Sequence, residues 1–225
     1  MKKDQGHDKQ NIWVAVDAVI FTVLHGKLHA LLIQMKKHPY EGQWAFPGGL
    51  IGEQETTEQA ARRILKTQTG VEHVFLEQLA TFDDPRRDIF GRVISVAYYA
   101  LVPSEHVLLK TTDRYADVAW RPVDELPKLA YDHSQIAEVA VKRLRSKLEY
   151  TNVAWSLLPM TFSLTELQNV YEAILDRKFD KRNFRKKLLS LHLLVASGKK
   201  QQGSAHRPAE LYKFRERILV TVHIL

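Results

Sequence analysis

The chain has 225 residues, of which 45% are hydrophobic and 26% are charged, as is ordinary for a soluble globular protein of one or two domains. The absence of cysteine excludes disulfide bonds, thiolate catalysis and cysteine-ligated zinc, and no apolar run is long enough to span a membrane. Because the polar first ten residues lack the apolar core of a secretion signal, we expect a flexible tail over residues 1–11 and a cytoplasmic location.

The net positive charge of the chain lies in its last third. Residues 150–225 hold 13 Lys and Arg against 6 Asp and Glu, whereas residues 1–149 hold 20 of each, so the whole formal excess of +7 falls in the last third. Such segregation favours contact between this third and a polyanion. A solvated basic surface explains the charge alone equally well.

The first part of the chain predicts strands, loops and a helix. Stretches rich in Val, Ile and aromatic residues predict strands at 13–23, 28–36, 74–82, 93–102 and 118–120. The glycines of Pro47-Gly48-Gly49 predict a tight loop. A helix is then expected from about Thr57 to Thr69, because Gly70 is a typical residue to end it.

A second helix is predicted near the middle of the chain. Asp132 or Ser134 can cap its first turn, and the helical spacing of apolar residues continues to about Tyr150. Its apolar positions are Ile136, Val139, Ala140, Leu144 and Leu148. This helix, over residues 134–149, joins two predicted units. It is therefore our candidate for the element that transmits movement from one unit to the other. We interpret His133 as a helix-start residue rather than as a ligand or a base.

The segment from Gly49 to Val71 carries a spaced motif. Five residues separate Gly49 from Glu55, seven separate Glu55 from Arg63, and Leu65, Gly70 and Val71 complete the register. The segment resembles the signature of the Nudix family, which reads Gly-x5-Glu-x7-Arg-Glu-apolar-x-Glu-Glu-x-Gly-apolar. The resemblance implies an α/β Nudix fold, a mixed sheet sandwiched by helices, over residues 12–149.

Three glutamates of that signature are absent. Their positions hold Ile64, Thr67 and Gln68, whose spacing places them on one face of a helix. In the family these glutamates hold Mg²⁺ against a diphosphate, and magnesium requires anionic oxygen ligands. We therefore predict no catalytic residues, no metal site and no cofactor. The alternative is a Mg²⁺-dependent pyrophosphatase for ADP-ribose or a sugar nucleotide with an accessory basic domain. It stays open because carboxylates remain near the loop, at Glu53, Glu55 and Glu58.

Residues 150–225 predict a second domain. Ser163 and Glu166 fit a capping box at the start of a helix, and Asp180 can cap another helix over residues 181–191. The apolar stripe of the first of these helices is Leu164, Leu167, Tyr171, Ile174 and Leu175. Strands at 193–195 and 211–214 then flank a basic, glycine-punctuated loop. Helix, turn, helix and hairpin in this order predict a winged helix-turn-helix DNA-binding domain.

The helix over residues 181–191 has two chemically different sides. Phe184, Leu188 and Leu191 fall together on one side, which we expect to be buried. Arg and Asn side chains read base edges in the major groove, and Lys and Arg neutralise phosphates. The predicted DNA-binding residues are Lys181, Arg182, Asn183, Arg185, Lys186, Lys187, Lys199, Lys200 and Arg207. A solvated helix surface could carry the same residues.

Both halves together resemble the Nudix-related transcriptional regulators of the NrtR-like family. Residues 162–174, 180–187 and 207–214 are similar to the DNA-binding domain of that family, and Tyr131-Asp132-His133 resembles its Phe-Asp-His signature. The resemblance implies a homodimeric regulator, expected to be a repressor, that binds double-stranded operator DNA. It also implies a small-molecule effector, for which ADP-ribose or a related NAD-derived nucleotide is preferred and a pentose sugar is the alternative.

The predicted effector-binding residues are of three kinds. Trp44, Phe46 and Phe82 can stack a base or a sugar, although packing in the core is the favoured reading for each. The guanidinium groups of Arg86, Arg87 and Arg92 suit phosphate, and an exposed loop explains them equally well. Glu55 and Arg63 are also candidates, although a mutual pairing that organises loop and helix is favoured.

Overall fold

The computed structural model describes residues 11–70, 72, 74–103, 109, 114–201, 208–222 and 224. Residues 1–10 of the predicted tail, and Arg207 of the predicted DNA-binding set, lie outside the described residues. In the described part of the chain, no helix combines the length and the apolar character that crossing a bilayer requires.

The first unit is built on a mixed β-sheet. Its strands are β1 (Trp13–Leu24), β2 (Lys27–Met35), β3 (Trp44–Ala45), β4 (Gly48–Leu50), β5 (Phe75–Phe82), β6 (Val93–Leu101) and β7 (Tyr115–Pro122). The order across the sheet is β3-β2-β1-β6-β5, with β4 paired to β1 and β7 paired to β2. β1 and β6 run parallel, and the other described pairs are antiparallel. The predicted strands are confirmed, although β7 starts earlier than predicted.

Alternation of side chains along the central strands gives this sheet two buried faces. In β1, Phe21 is buried on one face and Ile20 on the other. Helix α2 (His133–Tyr150) belongs to the first cluster and helix α1 (Thr57–Thr69) to the second. The sheet is therefore sandwiched by helices, as predicted. The prediction that Gly70 ends α1 is confirmed, because Gly70 has a φ of 70° and donates to the Lys66 carbonyl at 2.8 Å.

Two predictions about α2 were wrong. Neither predicted residue caps its first turn, because the Asp132 carboxylate accepts hydrogen bonds from Arg87 and Ser134 Oγ accepts one from the Leu129 N–H. Val139, predicted in the apolar stripe, is 38% exposed. The other four positions of that stripe are fully buried, so the buried face of α2 is narrower than the sequence suggested.

The second unit is a winged helix-turn-helix, as predicted. After α2 come a 3-10 helix (Val153–Leu157), β8 (Phe162–Ser163), α3 (Leu164–Leu175), α4 (Lys181–Ser190), β9 (Leu194–Lys200) and β10 (Glu210–Phe214). The order of the three strands in their sheet is β8-β10-β9. The capping box of α3 is confirmed, and the Asp180 carboxylate caps α4 by accepting from the Asn183 N–H at 2.8 Å.

The two units share one apolar core. Leu28 of β2 and Tyr171 of α3 belong to the same cluster of buried side chains, and α3 packs against both β1 and β2. Arg145 of α2 donates to the carbonyl of Ile174 near the end of α3 at 2.8 Å. Separation of the units would expose this apolar surface, so their relative position is fixed by burial. The predicted domain boundary at residues 149–150, at the end of α2, stays a prediction.

Gly48 lies where β4 approaches β1 most closely. A Cβ at this position would lie 2.3 Å from Asp17 Oδ1 and 3.0 Å from the Val16 carbonyl oxygen. Asp17 cannot move aside, because it is buried and held by Ser95. A Cβ at Gly49 would meet nothing within 4 Å. The glycine pair predicted as a tight loop therefore forms the start of a strand, and close contact is what requires Gly48.

Gly48→Ala is expected to lower the free energy of unfolding by about 1–3 kcal/mol, the usual cost of forcing extra volume into a packed site. Gly49→Ala is the matched control and should change it by less than about 0.5 kcal/mol, as open surface positions do. Urea denaturation followed by circular dichroism measures both values. Equal losses in the two variants would contradict the steric explanation.

Candidate functional site

A cleft opens where β1 changes its neighbour. β1 pairs with β4 as far as Asp17 and with β2 from Phe21 onwards, so the sheet is split between these points. The cleft has a volume of about 230 Å³. Its lining includes Asp17, Phe46, Arg87, Arg114, Tyr131 and His133. We assign the site to this cleft, rather than to a cavity of about 500 Å³ beside α2, because buried charged groups converge here.

Three charged side chains, Asp17, Arg87 and Asp132, form a network beside the cleft, and the first two line it. Arg87 donates to Asp132 from Nε at 2.9 Å and from Nη2 at 2.7 Å, and Nη2 also donates to Asp17 at 3.1 Å. Ser95 Oγ donates to the same oxygen of Asp17 at 2.6 Å. The side chains of Arg87 and Asp17 are only 3% and 7% exposed. Charges buried this deeply must be paired and hydrogen-bonded, so the network ties β1, the loop between β5 and β6, and the start of α2 together.

His133 completes this network from the first turn of α2. Its Nδ1 accepts a hydrogen bond from the Phe46 N–H at 2.9 Å, and its Nε2 lies 3.4 Å from Asp17 Oδ1. Because Nδ1 acts as an acceptor, the ring proton is assigned to Nε2, beside the carboxylate. His133 therefore starts the helix, as predicted, and also forms part of the wall of the cleft.

The network lowers the pKa of Asp17. Burial by itself raises the pKa of a carboxyl group, but the neighbouring His133, the Ser95 hydroxyl and the Arg87 guanidinium together outweigh burial and lower it to about 2. Asp17 is therefore ionised at neutral pH, and its charge is available to hold Arg87 in place.

The three aromatic residues predicted to stack a ligand are used mainly for packing. Phe46 lines the cleft, but it is 1% exposed and its ring stacks on His133 with the centroids 5.7 Å apart. Trp44 is half-buried with the guanidinium of Arg121 5.0 Å from its ring centroid. Phe82 packs partly buried against the core. Neither Trp44 nor Phe82 lines the cleft.

The three arginines predicted to bind phosphate have different surroundings. Arg87 is buried against carboxylates, so the reading of a simply exposed loop was wrong for this residue. Arg86 has a side chain that is 92% exposed, and it lines an adjoining cavity of about 330 Å³ to which Arg87 also contributes. Arg92 donates to the Asp83 carbonyl at 2.5 Å, which closes the loop. Arg114, which was not predicted, also lines the cleft.

Glu55 and Arg63 bind each other. Arg63 donates to both carboxylate oxygens of Glu55, and Glu55 also accepts from the Gly52 N–H at 2.7 Å. These hydrogen bonds, first of all those from Arg63, lower the pKa of Glu55. Neither side chain lines the cleft. The pair joins the loop to α1, which is the organising role favoured from the sequence.

The carboxylates that would hold Mg²⁺ are missing from α1. Ile64 and Gln68 turn inward and are 6% and 4% exposed, whereas Thr67 is exposed and donates to the Arg63 carbonyl at 2.8 Å. Two of the three predicted positions therefore face the sheet, and none is anionic. Among the described residues, no three His, Asp or Glu side chains lie close enough together to hold a metal ion. The groups present do not fit magnesium.

An apolar groove continues the cleft on its outer side. It has a volume of about 430 Å³ and shares Leu50, Asp88 and Val93 with the cleft. Trp13 and Phe90 line this groove and are 57% and 72% exposed. Neither was predicted as a site residue. The sequence did contain a signal for Phe90: the apolar pair Ile89-Phe90 stands in a charged loop, where large apolar side chains have no core to pack into.

The residues predicted to bind DNA are presented mainly by α4. Phe184 and Leu188 are 5% and 3% exposed and anchor the helix, with the Phe184 ring 5.3 Å from that of Tyr171 in α3. Arg185 is half-buried and donates to Thr165 Oγ1 at 3.0 Å. The exposed members of the set are Lys181, Arg182, Asn183, Lys186 and Lys187 on α4, and Lys199 and Lys200 at the end of β9.

Glu172 fixes the turn that sets the angle between α3 and α4. Its carboxylate accepts from Lys178 Nζ at 2.6 Å, from Gln168 Nε2 at 2.8 Å and from the Phe179 N–H at 3.1 Å. Asp176, with a φ of 50°, ends α3 in the left-handed region. The turn is therefore held by a charged side chain and hydrogen bonds, which keeps the basic side of α4 facing outward.

The fold and the site together define a class of protein, in which a Nudix scaffold without the signature carboxylates is packed against a winged helix whose helix α4 is basic and exposed. Residues 13–143 match the NUDIX domain, and residues 154–214 match the NrtR DNA-binding winged helix domain.

Similar proteins have the same two parts. The chain is 35% identical to the ADPR responsive transcriptional repressor NtrR of Acinetobacter baylyi over 214 residues, which cover 93% of this chain and 85% of that protein. Shewanella oneidensis NrtR complexed with a 27mer DNA is similar in structure, with a TM-score of 0.78 and 36% identity over 90% of this chain and 93% of that one. The chain therefore belongs to the NrtR family of Nudix-related transcriptional regulators.

The Nudix half has further relatives. The NUDIX domain of Shewanella oneidensis NrtR complexed with ADP ribose matches with a TM-score of 0.54 and 36% identity, over 62% of this chain and 94% of that one. The ADP-ribose pyrophosphatase of Methanocaldococcus jannaschii is 35% identical over 123 residues, which are 55% of this chain and 69% of that enzyme.

The buried network predicts an acid-sensitive stability that Asp17→Asn removes. Because the pKa of Asp17 in the folded protein, about 2, is below the ordinary value of 3.8, its stabilising contribution is present above 3.8 and is lost as the pH falls towards 2. Asp17→Asn is expected to lower the free energy of unfolding at pH 7 by about 3–5 kcal/mol, as for a broken buried ion pair. Between these pH values its stability should fall less steeply than that of the wild type, as measured by urea unfolding. Parallel curves would contradict the assignment.

Proposed function

We propose that this protein is a transcriptional repressor that binds operator DNA through its winged helix and binds ADP-ribose, without hydrolysing it, in the cleft of its Nudix domain. One observation carries the proposal: a single packed chain joins an exposed basic helix, α4, to a Nudix domain whose helix α1 lacks the three glutamates of the Nudix signature. We further propose that the protein acts in the cytoplasm, where its DNA lies.

DNA binding is supported by the chemistry of α4. Its exposed side chains include Arg182, Asn183 and Lys186, while Phe184 and Leu188 anchor it from behind. An arginine and an asparagine near the start of a helix suit base edges, and the lysines suit the phosphates beside them. A winged helix that reads a near-palindromic site does so as a pair, so we propose that the protein works as a homodimer.

ADP-ribose is supported as the effector by the cleft and by the groove that continues it. The cleft has cationic groups at Arg87 and Arg114, and Arg86 lies in the adjoining cavity, all suited to a diphosphate. The outer groove offers the aromatic rings of Trp13 and Phe90 to a base, which a pentose sugar would leave unused. The ADPR responsive repressor and the ADP-ribose complex among the relatives favour the same ligand.

A pyrophosphatase activity is the second candidate, because the relatives include an ADP-ribose pyrophosphatase. The geometry of the site argues against it. Glu55 is bound to Arg63, and Glu58 is bound to Arg62 at 2.7 Å, so these carboxylates are already used. Among the described residues no cluster of carboxylates could hold a metal ion, and without the ion no water is activated for attack on the diphosphate. A ligand that stays intact suits a sensor.

Arg182→Ala and Lys186→Ala are each expected to weaken binding to duplex DNA. If each contacts a phosphate, it should also reduce the steepness of the plot of log affinity against log salt by about one unit. Fluorescence anisotropy measures this with a duplex selected by the wild-type protein from a randomised pool. Lys128→Ala, which removes an exposed lysine of the Nudix domain, is the matched control and should bind as the wild type does. Unchanged binding by both α4 variants would refute the recognition-helix assignment and favour a protein partner instead.

The wild-type protein is expected to bind ADP-ribose and to return it intact. Isothermal titration calorimetry should show a loss of affinity of about 5- to 150-fold in Phe90→Ala, because stacking on a base is worth about 1–3 kcal/mol. Phe90→Tyr is the matched control, since it keeps the ring and should keep the affinity.

The same ligand separates the two candidate functions. Incubation of the wild-type protein with ADP-ribose and Mg²⁺, followed by chromatography, should yield no AMP at rates typical of enzymes, about 1 s⁻¹ or more. Formation of AMP at such rates would identify a pyrophosphatase. Binding of a pentose such as arabinose in place of ADP-ribose would reassign the effector.

A further inference from the structure

We propose that Arg87 couples the cleft to the DNA-binding domain by exchanging the carboxylate of Asp132 for the diphosphate of a bound nucleotide. The inference rests on the proposed function, because it requires both an anionic effector and a DNA-binding state. It goes beyond that function because it names the two side chains, Arg87 and Asp132, through which ligand binding in the cleft would change the position of α2.

Arg87 is well placed for such an exchange. Together with Tyr131 it lines both the central cleft and the adjoining cavity of about 330 Å³, so an anion bound in either space would lie beside this residue. Arg87 binds both carboxylate oxygens of Asp132 in a bidentate arrangement, which is also the geometry in which arginine binds phosphate oxygens. A diphosphate would therefore compete with Asp132 for the same donors. Asp17, held by Ser95, would remain as the buried counter-charge.

Asp132 stands at the start of α2 without capping it. Aspartate is a favoured N-cap residue, yet here its carboxylate is turned to Arg87 and no side chain caps the helix. If Arg87 turned to a diphosphate, the released carboxylate could accept a hydrogen bond from the Ser134 N–H, whereas the N–H groups of His133 and Gln135 already donate to the carbonyls of Ala130 and Asp132. Both arrangements would then satisfy the carboxylate, as a two-state element requires.

Tyr131, directly before Asp132, has a backbone conformation that its surroundings must enforce. Its φ of 55° lies in the left-handed region, which a bulky side chain rarely occupies. Its ring is held against Tyr40 with the centroids 4.2 Å apart and against His133 with the centroids 5.3 Å apart. Such a conformation persists only where the surroundings enforce it. Loss of the bond between Arg87 and Asp132 removes one of these restraints, so the first turn of α2 is expected to shift.

Helix α2 carries such a shift to the winged helix. It is continuous over 18 residues, and Ile136 and Leu144 are fully buried along its length, so it moves as a packed rod. Near its end, Arg145 is bound to the carbonyl of Ile174 at the end of α3. Because α4 packs on α3, a movement of α2 alters how α4 is presented to DNA.

Asp132→Asn tests the proposal, with Asp83→Asn as the matched control. Asparagine at 132 keeps the size of the side chain and removes its charge. Asp83 lies on the same loop as Arg87, but it is exposed and lines neither the cleft nor the adjoining cavity. For each protein, fluorescence anisotropy gives the dissociation constant for the selected duplex with and without saturating ADP-ribose. The ratio of the two constants is the coupling factor, which is typically about 5–150 in allosteric proteins.

In Asp132→Asn the coupling factor is expected to fall at least about threefold, and in Asp83→Asn to stay within about twofold of the wild type. The effector-free DNA affinity of Asp132→Asn should also move towards the effector-saturated value of the wild type. Arg87→Lys provides a second test, because lysine keeps the charge but cannot donate two parallel hydrogen bonds. The coupling factor is expected to fall by the same amount as in Asp132→Asn. A folded Asp132→Asn or Arg87→Lys variant that retains the wild-type coupling factor overturns the proposal.

Hydrogen exchange in the wild type decides the matter if both variants fail to fold. ADP-ribose must then change the amide exchange of residues 131–136, and unchanged exchange there overturns the inference. The two proposals fail in different ways. A wild-type protein that binds neither ADP-ribose nor DNA refutes the proposed function, and this inference with it. One that binds both without coupling refutes this inference alone.

Discussion

The buried ion network of Asp17, Arg87 and Asp132 is the constraint on which the cleft depends. Removing a charged group from water costs several kcal/mol, so Asp17 and Arg87 are buried only because each has a partner of opposite charge. The three side chains belong to β1, to the loop between β5 and β6, and to the start of α2, which the network joins to one another. The network therefore helps to fix the shape of the cleft, and it places buried charge beside it.

A second constraint is the core that the two domains share. Because β2, α2 and α3 contribute to one cluster of buried side chains, the winged helix cannot change its position without a rearrangement of apolar contacts. Well-packed interfaces of this kind favour a few discrete arrangements over continuous deformation. A regulator needs such an arrangement, since a loosely tethered DNA-binding domain would not respond to occupancy of a cleft in the other domain.

The Nudix half shows how a hydrolase scaffold can be kept while its metal ligands are replaced. The pairing of Glu55 with Arg63, and the hydrogen bond of Glu55 to Gly52, still hold the loop against α1. The positions that carry carboxylates in the family are here taken by Ile64 and Gln68, which are buried against the sheet. The position of the loop against α1 depends on one ion pair, whereas metal binding depends on a cluster of carboxylates. The first can therefore persist without the second.

The sequence by itself determined those features that depend on near neighbours: the bounds of α1, the capping box of α3, the cap of α4 by Asp180, and the basic side of α4. Helical periodicity and capping act over a few residues, so one sequence suffices to predict them. Tertiary structure alone decided that Arg87 is buried rather than exposed, that Asp132 pairs with it instead of capping α2, and that Phe90 lines the outer groove. Arg87 lies 70 residues from Asp17 and 45 from Asp132 along the chain. Only the folding of the sheet brings such distant groups together, and no local pattern records which of the available carboxylates a buried guanidinium will meet.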